Sequence, residues 1–231
     1  MQRIGLIGGM SWESSALYYQ LLNQGVSARL GGLHSADCVL VSVDFAEIEQ
    51  LQVSGRWAEA GQRLAGAAKS LEAAGVDLAL LCTNTMHKVY DDVQAAVSIP
   101  VLHLGDATAN AVLSAGVTTV GLLGTGFTMS QDFYRHRLAR HGLKVLVPDE
   151  PDRQLVHDVI YDELCQGILR EESRAAYRDV IGRLVDAGAE GIILGCTEIE
   201  LLIAQADSPV LVFPTTRIHV DAAIEQALGR R

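Results

Sequence analysis

The sequence predicts an α/β protein made of two pseudo-symmetric three-layer lobes, each with a mostly parallel four-stranded sheet. Three observations predict this fold class. Eight short, nearly continuous apolar runs are typical of parallel strands that are covered on both faces. Longer helical patterns alternate with these runs, several of them ending at glycine. The first half of the chain also recurs, block by block, in the second half.

The predicted strands are the apolar runs, and the helices lie between them. The strands are Ile4–Ile7, Cys38–Val43, Leu78–Leu81, Val101–Leu104, Val120–Leu123, Val145–Val147, Ile192–Leu194 and Val210–Phe213. One helix runs from Ser11 to about Arg29, and a second covers Arg56–Ala74 before Gly75. A third is expected to open at Thr128 with the capping box Thr128-x-x-Gln131 and to stop at Gly142.

Four blocks of the first half match four blocks of the second in the same order. The matched pairs are 4–11 with 120–127, 42–45 with 146–149, 71–85 with 184–198, and 99–104 with 208–213. A chance repeat of an apolar run followed by glycine explains one such pair but not four in order. We therefore expect a first lobe of residues 1–104 plus 209–231 and a second of residues 105–208, with the active site in the cleft between them.

Composition narrows the possible functions. The chain has 231 residues, is 49% hydrophobic and 20% charged, and carries a net charge of −10. A chain of this length can bury a hydrophobic core without disulfide bonds or a bound metal. Its apolar content is too high for a disordered chain. No apolar run approaches the ~20 residues of a membrane-spanning helix, and no export signal precedes the first strand, so a cytoplasmic location is expected. A pI near 5.1 disfavours nucleic-acid and anionic-membrane partners.

The repeat separates the four cysteines into two kinds. Cys82 and Cys196 hold equivalent positions, each after a buried strand and before a helix start, whereas Cys38 and Cys165 have no such partner and are expected in the core. No CxxC pair is present, which disfavours a disulfide framework and a zinc site. The carboxyl edge of a parallel sheet is where ligands bind, and a helix N-terminus there is expected to stabilise a thiolate.

Two thiols on opposite sides of one carbon suit proton transfer with inversion. One thiolate removes a proton while the opposite thiol delivers another, which requires sulfurs roughly 7 Å apart. Hydroxyl, amide and backbone N–H donors after each cysteine can hold a carboxylate and stabilise the carbanion. These donors follow the first cysteine at Thr83, Asn84 and Thr85 and the second at Thr197 and Glu198.

The segments IGLIGGMSWESS, LLCTNTMH and LGCTE together resemble the aspartate/glutamate racemase family of cofactor-independent two-cysteine racemases, and especially its aspartate and broad-specificity branch. The likeness covers essentially the whole chain. It implies that Cys82 and Cys196 are the two acid/base groups and that neither pyridoxal phosphate nor a metal is used. It also implies a homodimer, the usual state in this family and the commonest oligomer in general.

The resemblance implies a substrate site as well. Thr83, Asn84, Thr85 and Thr197 would hold the carboxylate and amine of the substrate, and Met10, Gln52 and Thr128 would line the pocket; we add Ser11 and Glu198 as substrate-binding candidates. Glutamate racemases tend to carry histidine at the position of Glu198. Aspartate-specific relatives tend to carry arginine at the position of Gln52, so a second carboxylate on the substrate need not be strongly preferred.

Several residues have two interpretations. Gly8-Gly9 and Gly124-x-Gly126 could cradle a phosphate but more simply make tight turns. His87 could tune the thiol or lie on a helix surface, and His103 and His157 are read as structural or solvent-facing. Glu198 could neutralise an amine or favour a helix N-terminus. Asp44 and its counterpart Asp149 are caps or pocket residues, and residues 135–140 are read as an exposed helix face.

The sequence as a whole predicts a PLP-independent racemase for aspartate, glutamate or a wider set of amino acids. The three lysines, Lys69, Lys88 and Lys144, lie in no motif that indicates a Schiff base. The enzymatic alternatives are a hydantoin racemase, a maleate cis–trans isomerase and, less well matched because it needs one cysteine, an arylmalonate decarboxylase. An alternative of another class is a bilobal amino-acid-binding regulator without turnover.

Overall fold

The computed structural model describes residues 1–229 as eight strands and eleven α-helices with short 3₁₀ segments. The strands are β1 Ile4–Gly8, β2 Cys38–Ser42, β3 Leu78–Leu81, β4 Val101–Leu102, β5 Thr119–Gly124, β6 Lys144–Leu146, β7 Gly191–Gly195 and β8 Leu211–Pro214. The helices are α1 Trp12–Leu30, α2 Phe45–Val53, α3 Trp57–Ala73, α4 Tyr90–Ala95, α5 Leu104–Ser114, α6 Gly126–Ser130, α7 Asp132–Arg140, α8 Glu150–Asp162, α9 Glu171–Asp186, α10 Ile199–Leu202 and α11 Thr215–Leu228. The 3₁₀ segments are Thr85–Val89, Leu164–Gln166 and Gln205–Asp207.

The strands form two four-stranded parallel sheets with the same topology. The first has the order β2-β1-β3-β4 and the second the order β6-β5-β7-β8. The register pairs Ile7 with Leu81 in the first sheet and Leu123 with Leu194 in the second. Each strand of the first half therefore has its counterpart in the second, and the predicted α/β fold with two four-stranded sheets is confirmed.

The chain divides into two compact units. The first contains Met1–Leu104 and the segment from His219 onward, and the second contains Gly105–Ile218. The predicted division placed residues 209–231 in the first lobe, and this differs from the structure for residues 209–218. The reason is that β8 pairs with β7, with Phe213 opposite Ile193, so this strand completes the second sheet.

In the first unit, alternate residues of β3 enter two different apolar clusters. Leu78 and Leu80 pack with side chains of α1 and α11, whereas Ala79 and Leu81 pack with side chains of α3. Both faces of this strand are therefore covered, as its continuous apolar run predicts. The edge strand β2 is the exception, because its five residues are only half-buried or exposed.

The second unit has an apolar cluster around β7 and the helices α8 and α9. Its fully buried members include Val156, Ile160, Tyr177 and Ile192. Cys165, which was expected in the core, packs against this cluster but is only half-buried, and it lies in the 3₁₀ segment after α8. Cys38 is likewise half-buried, in β2.

Local hydrogen bonds show that one predicted helix start is wrong. They also show which of their two predicted roles Asp44 and Asp149 have. Thr125, not Thr128, is the N-cap of α6, and its Oγ1 accepts from the Thr128 N–H at 3.3 Å. The expected capping box at Thr128 is therefore wrong, and α7 starts separately at Asp132. Asp44 and Asp149 are both N-caps, of α2 and α8, and each accepts a backbone N–H with its carboxylate.

The Gly8-Gly9 segment is a tight turn. Gly9 has a φ of 94°, and a Cβ added there would lie 2.1 Å from the Val43 carbonyl oxygen. Its N–H donates to Ser15 Oγ at 2.7 Å. Glycine is needed here because the loop after β1 passes directly over the backbone that follows β2. Across residues 1–229, no helix is long and apolar enough to span a bilayer.

Candidate active site

Cys82 follows β3 directly and is completely buried. Its N–H donates to the Ile7 carbonyl at 3.0 Å, and its own carbonyl accepts from Ser14 Oγ at 3.3 Å. The Sγ atom lies 3.9 Å from the Leu80 carbonyl oxygen. Burial raises the pKa of this thiol far above its ordinary value, because a thiolate would lose its hydration.

The segment after Cys82 is buried and is braced by a histidine. Thr83, Asn84 and Thr85 are each less than a tenth exposed. His87 Nε2 accepts from the Leu104 N–H at 3.1 Å, so the ring hydrogen lies on Nδ1 and is donated to the Thr83 carbonyl at 2.7 Å. The reading of His87 as a helix-surface residue is therefore wrong: it joins the residue after Cys82 to the first residue of α5.

The first unit contains three further candidates, two on the loop after β1 and one on α2. Ser11 is the N-cap of α1, and its Oγ accepts from the Ser14 N–H at 3.2 Å. Met10 is buried in the same apolar cluster as Met86. Gln52 on α2 is 4% exposed, and its Nε2 lies 2.9 Å from Met86 Sδ. Its Oε1 makes no hydrogen bond among the described residues, which leaves a buried acceptor for a ligand.

Cys196 follows β7 directly and is partnered by a carboxylate. Its Sγ donates to Glu198 Oε2 at 2.9 Å. Burial, followed by the Glu198 carboxylate and the nearby Cys165, raises the pKa of the Cys196 thiol well above its ordinary value. Glu198 is 6% exposed and makes no side-chain cap bond to α10. Glu198 therefore lies at the N-cap position of α10, but its side chain accepts from Cys196 and not from a backbone N–H of that helix.

Thr197 and Thr128 complete the candidates of the second unit. Thr197 is buried, and its Oγ1 accepts from Thr216 Oγ1 at 3.2 Å. Thr128 is fully buried with its hydroxyl 3.2 Å from Thr125 Oγ1. A Cβ added at Gly195 would lie 3.6 Å from the Thr128 methyl group. Thr128 therefore packs against Gly195, the residue before Cys196.

The expected stabilisation of a thiolate at these positions is wrong, because the pKa of both thiols is raised. The segments after the cysteines are one 3₁₀ turn of five residues and one α-helix of four. A helix terminus contributes about 0.3–1 kcal/mol to a nearby charge, whereas full burial can shift a pKa by several units at about 1.4 kcal/mol each. Burial is the larger effect, so both sulfurs rest as thiols.

Some residues around the cysteines were not predicted. Ser14 contacts the Cys82 carbonyl, Thr216 contacts Thr197, and Glu200 on α10 accepts the Thr216 N–H at 3.0 Å. The only signal in the sequence is a glutamate inside the apolar stretch IELLI, where a charge is unexpected. Ser14 and Thr216 carry no signal that separates them from ordinary helix residues.

Comparison with known proteins gives a family model and two crystal structures that match nearly the whole chain, and a curated relative that matches about 70% of it. A family model described as Asp/Glu/Hydantoin racemase matches residues 7–223. A crystal structure of a Yersinia pestis protein assigned as an Asp/Glu racemase is 55% identical, with 99% of this chain and 100% of that chain covered and a TM-score of 0.94. A structure of an aspartate racemase homologue from Pyrococcus horikoshii is 36% identical, covers 99% and 100% of the two chains, and has a TM-score of 0.88. The broad specificity amino-acid racemase RacX from Bacillus subtilis is 26% identical over 71% of this chain and 70% of its own.

Proposed function

Because the chain belongs to the Asp/Glu/Hydantoin racemase family and is an isomerase with amino-acid racemase activity, we propose that Cys82 and Cys196 carry that reaction as its two bases. The substrates proposed are aspartate, glutamate or a wider set of amino acids, without pyridoxal phosphate or metal. The main support is the equivalence of the two cysteines. Each follows the third strand of its half, in two sheets with the same strand order.

In the proposed reaction, each sulfur serves one face of the α-carbon. One thiolate takes the α-proton as the opposite thiol delivers its own proton to the other face, so one thiol and one thiolate exchange roles in each turnover. Both thiols have raised pKa values, so the thiolate has to form when substrate enters. The ammonium group of an amino acid favours this by adding positive charge next to the sulfur.

Glu198 is proposed to accept and hold the proton of the Cys196 thiol. When Cys196 acts as the base, its S–H proton moves to the Glu198 carboxylate, which leaves a thiolate and a neutral carboxyl. Cys196 then takes the α-proton while Cys82 delivers its own and becomes the thiolate. In the reverse direction Cys82 takes the α-proton and Cys196 delivers one, while Glu198 stays a neutral carboxyl, so no further proton acceptor is needed. The 2.9 Å contact from Sγ to Oε2 supports this pairing. Cys82 makes no such carboxylate contact among its described hydrogen bonds, so the two half-reactions are expected to differ in pH dependence.

The remaining candidates are proposed to hold the substrate. Thr83, Asn84 and Thr85 after Cys82, and Thr197 after Cys196, offer hydroxyl, amide and backbone groups to the carboxylate and amine. Met10 and Ser11 line the pocket from the loop after β1. Gln52 offers a neutral amide to the side chain of the substrate, so neutral and acidic side chains are both accepted. Thr128 supports the pocket from below.

The test is a chiral assay of L-amino acids run in D₂O. The wild-type protein should form the D enantiomer with solvent deuterium at the α-carbon. Cys82→Ser and Cys196→Ser should each lose at least about a thousandfold in kcat, because neither face can be served alone. Cys38→Ser, at a half-buried cysteine of β2, is the matched control and should keep wild-type activity.

The same assay separates the alternatives. Racemised product without deuterium contradicts the two-base reaction. A stable covalent adduct on one cysteine, seen by mass spectrometry with substrate, indicates isomerase chemistry of the maleate type. Thermal stabilisation by an amino acid without any change in its configuration indicates a binding protein. Activity should survive both exhaustive dialysis against EDTA and treatment with hydroxylamine, since neither a metal nor an aldehyde cofactor is proposed.

A further inference from the structure

Glu200 on α10 carries a buried carboxylate that is only partly satisfied. Its side chain is 4% exposed. Oε1 accepts from the Thr216 N–H at 3.0 Å. Among residues 1–229, Oε2 makes no hydrogen bond, and it lies 3.6 Å from Arg217 Nε. Burying a carboxylate with one open oxygen is costly, so a role beyond packing is expected for it.

The Glu200 carboxylate is the start of a short hydrogen-bond chain that ends next to Cys196. Thr216, the second residue of α11, is fully buried, and its backbone N–H donates to the Glu200 carboxylate. Its hydroxyl then donates to Thr197 Oγ1 at 3.2 Å. Thr197 is the residue after Cys196. The Thr197 hydroxyl is therefore linked to Glu200 through Thr216 alone. All three residues belong to the second unit.

We propose that Glu200 is a positioning residue that, through Thr216, holds the Thr197 hydroxyl beside Cys196 for the substrate carboxylate. The proposal rests on the proposed function, in which Thr197 contacts substrate. The first unit contains a comparable brace. There His87, on the segment after Cys82, accepts the Leu104 N–H at the first residue of α5. In both units the segment after the cysteine is tied to the first turn of the helix after the fourth strand.

The charge of the second brace can change near neutral pH. Burial raises the pKa of Glu200 to about 7; the hydrogen bonds from Thr216 and then the Arg217 charge oppose this rise, and the Glu198 charge adds to it. The carboxylate borders a cavity of about 230 Å³ whose other lining residues, Arg217 apart, are uncharged; they are Leu194, Ile203, Ala204, Gln205, Val212 and Pro214. An ionised carboxylate accepts a more strongly held N–H bond than a neutral carboxyl. Thr197 should therefore be held better above neutral pH than below it.

The first part of the test removes the Thr216 hydroxyl, the middle group of the hydrogen-bond chain. Thr216→Val keeps the shape of the side chain but not its hydroxyl, and should raise KM by about five- to tenfold while kcat changes by less than about twofold. Thr216→Ser keeps the hydroxyl and should restore the wild-type KM. A purely structural role predicts no such split between KM and kcat and no rescue by serine.

The second part of the test removes the charge of the Glu200 carboxylate. In the wild type, kcat/KM should rise about three- to tenfold between about pH 6 and 8. Glu200→Gln keeps an acceptor for the Thr216 N–H and should flatten this rise. Glu172→Gln, at an exposed glutamate of α9, is the matched control and should keep the wild-type profile. Circular dichroism and thermal denaturation of each variant confirm that it is folded.

The outcomes separate the inference from the proposed function. A wild-type protein that racemises no amino acid overturns the proposed function and the inference with it. An active wild type whose Thr216→Val variant has an unchanged KM overturns the inference alone. A Glu200→Gln variant that keeps the wild-type inflection also overturns the inference alone, while the two-base reaction stands.

Discussion

At the scale of single residues, the most consequential contact is the one between Cys196 and Glu198. Helix position suggests an activated thiolate, whereas burial and the adjacent carboxylate both favour the protonated sulfur. The sequence shows that the two residues are two apart, but not that the carboxylate turns back onto the sulfur. Only the folded loop brings Oε2 to 2.9 Å from Sγ.

Replacing Glu198 should therefore make Cys196 more reactive while reducing catalysis. In Glu198→Gln the charge is lost, so the pKa of the Cys196 thiol should fall and its alkylation by iodoacetamide at pH 8 should accelerate about tenfold. Racemisation should decrease, because the proton of Cys196 has no acceptor. Peptide mass spectrometry of Cys196 against pH measures the first effect.

Cys38 provides the internal control for that measurement, since its alkylation should be the same in both proteins. Equal alkylation rates of Cys196 in wild type and Glu198→Gln would show that the carboxylate does not control the thiol.

At the scale of elements, the repeat is visible in the helix caps as well as in the strands. Asp44 and Asp149 belong to matched sequence blocks, and each caps the helix after the second strand of its half. Their carboxylates accept from the N–H groups of Ala46 and Asp152. Both are exposed, so their effect on stability is expected to come mainly from the cap.

The two caps should contribute about equally. Asp44→Ala and Asp149→Ala should each lower the free energy of unfolding by about 1 kcal/mol, because an N–H of the first turn loses its acceptor. Asn at either position keeps the acceptor and should cost only a few tenths of that value. Urea denaturation followed by circular dichroism measures these differences. An alanine variant as stable as its asparagine counterpart would contradict the assignment.

At the scale of the whole molecule, the C-terminal helix returns to the first unit and brings a buried histidine with it. His219 is fully buried; its Nδ1 accepts from the Tyr18 hydroxyl at 3.0 Å, and its Nε2 donates to the Leu102 carbonyl at 3.1 Å. Burial, with His87 nearby, lowers the pKa of His219 to about 3. The ring is therefore neutral in the folded protein at all but strongly acidic pH.

This histidine makes folding sensitive to acid. Its pKa is lower in the folded state than the ordinary value of about 6.5, so its contribution is fully present above pH 6.5 and is lost as pH falls towards 3. The total loss is on the order of 4–5 kcal/mol. His219→Gln, whose amide can accept from Tyr18 and donate to Leu102, should show a flatter decline of stability between pH 6.5 and 4 in urea denaturation. Parallel slopes for the two proteins would contradict this account.

Much of the fold follows from local pattern. All eight strands were predicted, because a buried parallel strand is a continuous apolar run whatever lies around it. The turn at Gly9 was predicted for the same local reason. The boundary near residue 209 was not, because strand pairing joins residues far apart in sequence, and only the register of Phe213 against Ile193 assigns β8 to the second sheet.

For the candidate site, the sequence by itself determined which cysteines are equivalent, because the repeat places Cys82 and Cys196 at the same position of two matching sequence blocks. The tertiary structure alone decided how each sulfur is protonated, that His87 is a buried brace, and that Glu200 reaches Thr197 through Thr216. The physical reason is that burial and hydrogen-bond partners depend on groups brought from distant segments. Tyr18 and His219, 201 positions apart in the chain yet hydrogen-bonded, show how far that dependence extends.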